Sequence, residues 1–465
     1  MAMAQPHYTI ADLGPASPFS QAAAVNNKGV VGGLAVTADG AQHAILWSKG
    51  KASDIALPGL GGQNSGVFGV NEAGVALVQA ESSKLDPNHE NFCAYGIGLS
   101  CLPALWRDGK MTQLPLLGGN NGTVGNINNR GEAAGVAETS VKDAGCAAGV
   151  AINGTGPQVL GYKAVIWGPR EGEIRELAPL PGDSVGVAMW INDNGQAVGL
   201  SGHCGNTLFP PYVAAPHAVL WEKDGTVRNL GNLGGTVNPK LLAIGNAAFA
   251  VNNLGQVAGV SALPGNTHNR AFLWTKETGM QNLGTLPGDV NSAAMAINDR
   301  GQVVGASVDG DIATGNPRPF LWQNGVMTDL NTLIPSDSPF EFLLLPGGIN
   351  ASGQIAGFGV TREGEVHAFL ATPHTTSIAG PKNGSVTSRE ITLDGTASAS
   401  ADGSALTYAW SIPYGSPAAA ILHGNTSTPS VQFSSGRGMY SFVLTVTDGA
   451  GVSASDVITV SYLGN

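Results

Sequence analysis

The chain is poor in charge. Only 12% of its 465 residues are Asp, Glu, Lys or Arg, and 33 acidic residues against 22 basic ones give a formal net charge of −11. A phosphate backbone is repelled on average, and no Lys/Arg cluster offers a local exception, so nucleic acid is not an expected partner. No run of about 18 apolar residues is present to cross a membrane as a helix. No stretch keeps apolar residues at i, i+3, i+4 and i+7, which excludes a long amphipathic helix. The familiar catalytic motifs are missing as well: there is no GxSxG elbow, Walker loop, GxGxxG after a strand, or HExxH.

Cysteine is scarce. Cys93, Cys101, Cys146 and Cys204 all lie in the first half of the chain, and four cysteines allow three pairings. The short loop "CAYGIGLSC" favours Cys93–Cys101, which leaves Cys146 with Cys204. No CxxC spacing supports the competing reading, metal ligation. Disulfides imply an oxidising compartment. The N-terminus "MAMAQPHYTI" has no apolar signal core, but "AMAQ" resembles the small-residue end of a cleaved signal. A secreted or cell-surface protein, extracellular or periplasmic, is therefore expected, with residues 1–7 a tail left by processing.

Glycine is abundant, at 67 residues, and mean hydropathy is slightly positive at +0.07. Glycine supplies turn conformations that other residues resist, so the composition suits an all-β chain with many tight turns. One phrase recurs: "VNNKGVVGG" from Val25, "VNEAGVALV" from Val70, "INNRGEAAG" from Ile127 and "INDNGQAVG" from Ile191. It returns as "VNNLGQVAG" from Val251, "INDRGQVVG" from Ile297 and "INASGQIAG" from Ile349. A second motif sits inside every period, as in "HAILW" (43–47), "HAVLW" (217–221) and "HAFLA" (367–371), and a third, such as "LGTLPGD", follows it.

Steps of 45 to 64 residues between the phrases indicate a propeller or solenoid. Each period reads as four short strands, with Asn-x-x-Gly as the hairpin corner between the first two. The corner Asn is therefore architectural. The last repeat lacks its fourth strand, and "YTIADLGPAS" from Tyr8 supplies it, which removes the open edge of a linear array. The expected fold is an all-β, seven-bladed β-propeller over residues 8–373, closed by an N-terminal strand, plus a C-terminal β-sandwich over 374–465.

These segments resemble the HAF-repeat family of extracellular repeat proteins across residues 8–371. The resemblance implies no particular chemistry. The "HAF" position reads Leu102, Lys163, Arg270 and Arg318 in four repeats, so it is not expected to form a shared histidine-based site. From about Ser377 the phrase disappears. "ITLDGTASASADGSALTYAWS" (391–411) and "YSFVLTVTDGAGVSASDVITVSY" (440–462) resemble a PKD domain, a small Ig-like sandwich with Trp410 plugging the core. That resemblance implies an extracellular setting.

Topology narrows the search for a site. In an up-and-down blade the loops between second and third strands share a face with the crossovers to the next blade. Three of these loops are long, residues 80–101, 138–161 and 202–216, and they hold all four cysteines. Long loops on a rigid scaffold commonly carry function. Their polar residues include Asp86, His89, Glu90, Tyr95, Lys142, Asp143, His203 and Tyr212, with Tyr162 at the strand edge. The crossover carboxylates Asp183 and Asp289 share the face. Asp86 with Glu90 reads as an acid–base pair or a Ca²⁺ site, or as exposed loop charges, because "KLDPNHENF" lacks EF-hand spacing. Two residues before the corner, other repeats have Ala24, Gly69, Ala250, Ala296 and Gly348, but the third has Asn126 and the fourth Trp190. That indole reads either as a sugar-stacking surface or as a plug between blades.

Three functions fit. The first is binding of an extracellular polysaccharide or other cell-surface ligand through the insertion-bearing face. The second is a polysaccharide lyase or hydrolase, with Lys142, Tyr162, His203 and Tyr212 as the proton-transfer and charge-neutralising groups. The third is a protein–protein scaffold. No cofactor is expected, a structural Ca²⁺ being left open.

Overall fold

The computed structural model describes residues 7–464 apart from 15–16, 57–58, 94, 147–156, 205–214, 238–244, 311–314, 382–383, 402 and 414–415. The expected tail, residues 1–7, lies outside these except for His7. The chain divides into two compact units. One comprises Ala11–Thr332 and Pro339–Leu370, and the other comprises Met1–Ile10, Leu333–Ser338 and Ala371–Asn465. All described regular structure is strand except the 3-10 turn Leu330–Thr332.

Seven four-stranded sheets follow one another between His7 and His374. Sheet three shows the pattern: Gly118–Ile127, Ala133–Lys142, Leu160–Trp167 and Ile174–Leu177, each paired antiparallel with the next. The seventh consists of Phe340–Ile349, Ile355–Thr361, Val366–His374 and, outermost, His7–Asp12 from the start of the chain. The four-strand reading of each repeat, including the strand borrowed from the N-terminus, is thus the arrangement found.

The corner phrase explains itself in hydrogen bonds. Asn298 Oδ1 accepts the backbone N–H groups of Arg300 and Gln302, both at 3.1 Å. Gly301 sits at φ 73°, a conformation that a Cβ would strain. The other half of the asparagine faces its neighbour. Nδ2 of Asn26 donates to Asn71 O, Asn71 to Asn128 O, Asn128 to Asn192 O, Asn192 to Asn252 O, Asn252 to Asn298 O and Asn298 to Asn350 O, at 2.8 to 3.2 Å. Asn350 Nδ2 then donates to Asn26 O at 2.9 Å, and the circuit returns to its start.

Packing repeats the same order. Apolar layers fill the space between successive sheets, and one of them joins the first to the last: Ala22, Val31, Ile45 and Trp47 with Ala356 and Ala368. The tryptophan of the LW motif is held by burial and, in sheets three and four, by its indole N–H. Trp167 and Trp221 are fully buried, and their Nε1–H groups donate to Pro115 O at 2.8 Å and Ala178 O at 2.7 Å. That satisfies the single polar atom of a large apolar side chain.

The first residue of the same motif is also a tie. His43 lies 2.6 Å from Asp54, His217 3.0 Å from Asp183, Arg318 2.8 Å from Asp289 and His367 2.9 Å from Asp12. Lys163 Nζ donates to Ser184 O at 2.9 Å, and Arg270 donates to Val290 O. A donor at this position fastens the third strand to the outer strand or to the crossover. Histidine, lysine and arginine therefore serve equally.

The smaller unit has its own core. Gly438–Thr447 and Ser453–Tyr462 pair over ten residues, flanked by Thr407–Ser411 and Ser385–Val386. A second sheet joins Glu390–Thr392, Ser430–Phe433 and Ala419–Leu422. Trp410, Leu444, Ile458 and Tyr462 from the first sheet pack with Val431 and Phe433 of the second, and Trp410 Nε1–H donates to Thr426 O at 3.2 Å.

Candidate functional site

The long loops are pinned as their sequence suggests. Disulfides join Cys93 to Cys101 and Cys146 to Cys204. The first closes the insertion of sheet two on itself. The second ties the insertion of sheet three to that of sheet four. Beneath them Phe92, Tyr162, Val185 and Leu200 form one apolar cluster with all four cysteines.

Asp86 and Glu90 are not exposed loop charges. They are 1% and 0% exposed, and a third carboxylate, Glu138 from the second strand of sheet three, is buried beside them at 0%. One oxygen from each lies within 4.8 Å of the other two, the only such convergent group of His, Cys, Asp or Glu among the described residues. The cluster is dense with donors. Asn121 Nδ2 bridges Asp86 and Glu138 at 2.9 Å each. Glu90 Oε1 accepts the backbone N–H groups of Val159 at 2.6 Å and Leu160 at 3.0 Å, and Gln158 Nε2 at 3.1 Å. Asp86 Oδ1 accepts Asn88 N–H at 2.8 Å and Glu90 N–H at 3.0 Å, an Asx turn that shapes the loop. Burial, then the neighbouring Glu90, pushes the Glu138 carboxyl up to about 8. A proton on Glu138 relieves its repulsion with the neighbouring carboxylates. These three residues have the ligand chemistry of a hard cation, but as arranged they fasten the insertion of sheet two to sheet three.

The other expected site residues scatter. Tyr162 cannot act as an accessible base, because it is 1% exposed, meets Phe92 edge-on at 6.4 Å, and has its phenol pushed above the normal range by burial. Tyr95 is half-buried, and burial raises its phenol too. Asp183 and Asp289 face inward rather than toward a ligand. Asp183 Oδ2 accepts Ser201 Oγ–H at 2.6 Å and pairs with His217, while Asp289 pairs with Arg318. His89, Lys142 and His203 are exposed, and Asp143 is half-buried, accepting Gly145 N–H at 2.8 Å. Tyr212 lies outside the described residues. Trp190 packs against the apolar layers on both sides of sheet five, as a plug would.

Glu138 was missed by sequence reasoning, yet a signal existed. Ten residues after the corner Asn, five repeats carry Val36, Gly202, Ala262, Val308 and Val360, whereas the second and third carry Glu81 and Glu138. Each has a matching amide on its first strand: Asn64 Nδ2 donates to Glu81 at 2.8 Å, as Asn121 does to Glu138.

The C-terminal motifs have a counterpart among known families. A family model described as a PKD domain matches residues 379–461. This segment is a PKD-like domain. It is similar to the solution structure of the PKD domain from KIAA 1837 protein, at 26% identity over 19% of this chain and 89% of that one, with a TM-score of 0.17. The whole chain is similar to the extracellular domain of a protein from B. thetaiotaomicron assigned as a hybrid two-component system, at 10% identity, 99% and 57% coverage and a TM-score of 0.39. Porphyromonas gingivalis dipeptidyl peptidase 4 is similar at 11% identity, 78% and 59% coverage and a TM-score of 0.36. The chain thus spans just over half the length of each of these two. No curated protein matches it. No helix among the described residues is long and apolar enough to cross a membrane.

Proposed function

We propose that the seven sheets are the blades of a closed propeller of the HAF-repeat kind, working outside the cytoplasm in one chain with the PKD-like domain. In this reading it binds an extracellular ligand, with polysaccharide as the class to test first, through the disulfide-pinned loops of blades two to four. The Cys146–Cys204 bond carries the reading. It joins two insertions that the strand ladder alone leaves independent, and the buried Asp86–Glu90–Glu138 group links the insertion of blade two to blade three. Preorganised loops lose little entropy on binding. An oxidised pair in a loop also suits an extracellular protein. The lyase alternative is weaker, because burial removes Tyr162 from its set of proton-transfer groups.

The test is incubation of the full chain with neutral and acidic polysaccharides, measuring co-sedimentation together with new chain ends and unsaturated products. Binding without product, weakened when Cys146 and Cys204 are both changed to Ser, is the expected outcome. Product from any one polymer overturns it in favour of an enzyme, and His203, Tyr212 and Lys142 become the first substitutions.

A further inference from the structure

The seven corners surround a cavity of about 150 Å³, at the opposite strand ends from the insertions. Its upper lining is a run of hydrogen bonds among the residues that follow the first six corner asparagines, while the seventh, Ala351, only donates its N–H to Asn27 Oδ1 at 2.8 Å. Asn27 N–H donates to the Glu72 carboxylate at 2.7 Å, Glu72 N–H to Asn129 Oδ1 at 2.9 Å and Asn129 N–H to Asp193 at 2.8 Å. Asp193 N–H continues to Asn253 Oδ1 at 2.9 Å, and Asn253 N–H to Asp299 at 2.8 Å. Amide and carboxylate therefore alternate from Asn27 to Asp299, and Ala351 interrupts the rim. Among the described residues, Glu72, Asp193 and Asp299 are the only ionisable groups in the lining, and no cationic side chain lines the cavity with them.

Deeper in, the position two before the corner lines the cavity. Ala24 and Gly348 are inert there, whereas Asn126 and Trp190 are not. Asn126 is 8% exposed, and its amide has no hydrogen-bond partner among the described residues. That amide opens on the cavity rather than being sealed from solvent, so a ligand can replace water in supplying its hydrogen bond. The corner asparagines cannot supply it, since their Nδ2 groups are committed to the neighbouring carbonyls. Trp190 adds an aromatic surface in the same lining, and an indole attracts positive charge.

We infer that this cavity binds a small organic ammonium compound, with its charge held by the Glu72, Asp193 and Asp299 rim and the Trp190 indole, and with Asn126 Oδ1 accepting one of its N–H groups. A bare metal ion fits less well. The rim carboxylates stand on alternate corners and do not converge, the one convergent carboxylate group among the described residues being at Asp86. An anion is repelled, and a neutral polyol makes no use of the three charges.

The test is calorimetric titration of the full-length protein with glucosamine and with putrescine, using glucose and N-acetylglucosamine as uncharged controls. Asn126→Ala is the informative variant, because Ala24, Ala250 and Ala296 already occupy that place in other repeats and the fold tolerates it. At least one amine is expected to bind at millimolar concentration or below, to weaken about tenfold in Asn126→Ala, and to weaken with added salt. Glucosamine alone points to amino sugars, and putrescine alone to aliphatic amines. Failure of both amines, equal binding of the uncharged sugars, or full binding by Asn126→Ala overturns the inference. Replacing Cys146 and Cys204 with Ser leaves amine binding unchanged if this site is separate from the insertion surface, so the two readings fail independently.

Discussion

Glu138 has the chemistry of a surface residue in the environment of a core one. At 0% exposure, between Glu90 and Asp86, it holds its proton far above the ordinary range, up to about 8. In the unfolded chain the same carboxyl ionises near 4.5. Between those values the folded state binds a proton that the unfolded state has lost, so stability falls as pH rises through this window and levels off above it. Glu138→Gln keeps the neutral shape and the amide-accepting oxygen. It is expected to flatten the decline in melting temperature between pH 5 and 8 and to change little at pH 5. An unchanged slope in the variant contradicts this account of Glu138. The residue was legible only by comparing repeats, since no local rule marks a lone Glu in "GVAETS" as buried. Asp86 and Glu90 are legible as a pair but their burial is not, because loop composition does not reveal the Asn121 and Gln158 amides that receive them.

At the scale of strands and loops, periodicity and turn chemistry revealed most of what the structure contains. The strand ends at Val25, Ile127 and Ile297 coincide with the corner phrase. The register slip that precedes every corner, as between Ala294 and Ala296 or Ala188 and Trp190, was not legible. A one-residue bulge leaves no mark in composition, although it re-aims the next side chain. That is why the residue two before the corner lines a cavity instead of a sheet face. The disulfides were legible from loop length, and they allow a graded prediction. Cross-links spanning 58 and 8 residues restrict the unfolded chain by about 4 and about 2.5 kcal/mol in the loop-entropy model. Replacing Cys146 and Cys204 with Ser should therefore lower stability more than replacing Cys93 and Cys101, read as the shift in urea midpoint. It should also open the insertions of sheets three and four to limited proteolysis. Equal shifts for the two pairs contradict the loop-length account.

For the larger unit as a whole, the issue is whether seven repeats behave as an array or as a ring. An array has ends, its terminal repeats make one interface each, and links near an end matter less than links in the middle. The asparagine circuit has no end. Asn350 donates to Asn26 O at 2.9 Å and Asn128 donates to Asn192 O at 3.0 Å, and each also accepts two backbone N–H groups of its own corner. The two sites make the same backbone bonds, although the first spans 324 residues of chain and the second 64, and their side-chain partners differ, Gln354 and Ser352 at Asn350 and Glu132 at Asn128. Either change to Ala strands two corner N–H groups and one carbonyl, a loss of about 3 kcal/mol. In a closed ring Asn350→Ala and Asn128→Ala should cost the same, and the larger unit should still unfold in a single transition when followed by tryptophan fluorescence and by calorimetry. In an open array the seam link is nearly silent, because the first and last repeats separate freely, and Asn128→Ala alone is costly. A seam substitution that leaves the melting temperature untouched while the mid-chain one lowers it therefore excludes closure, whatever the sheet order suggests.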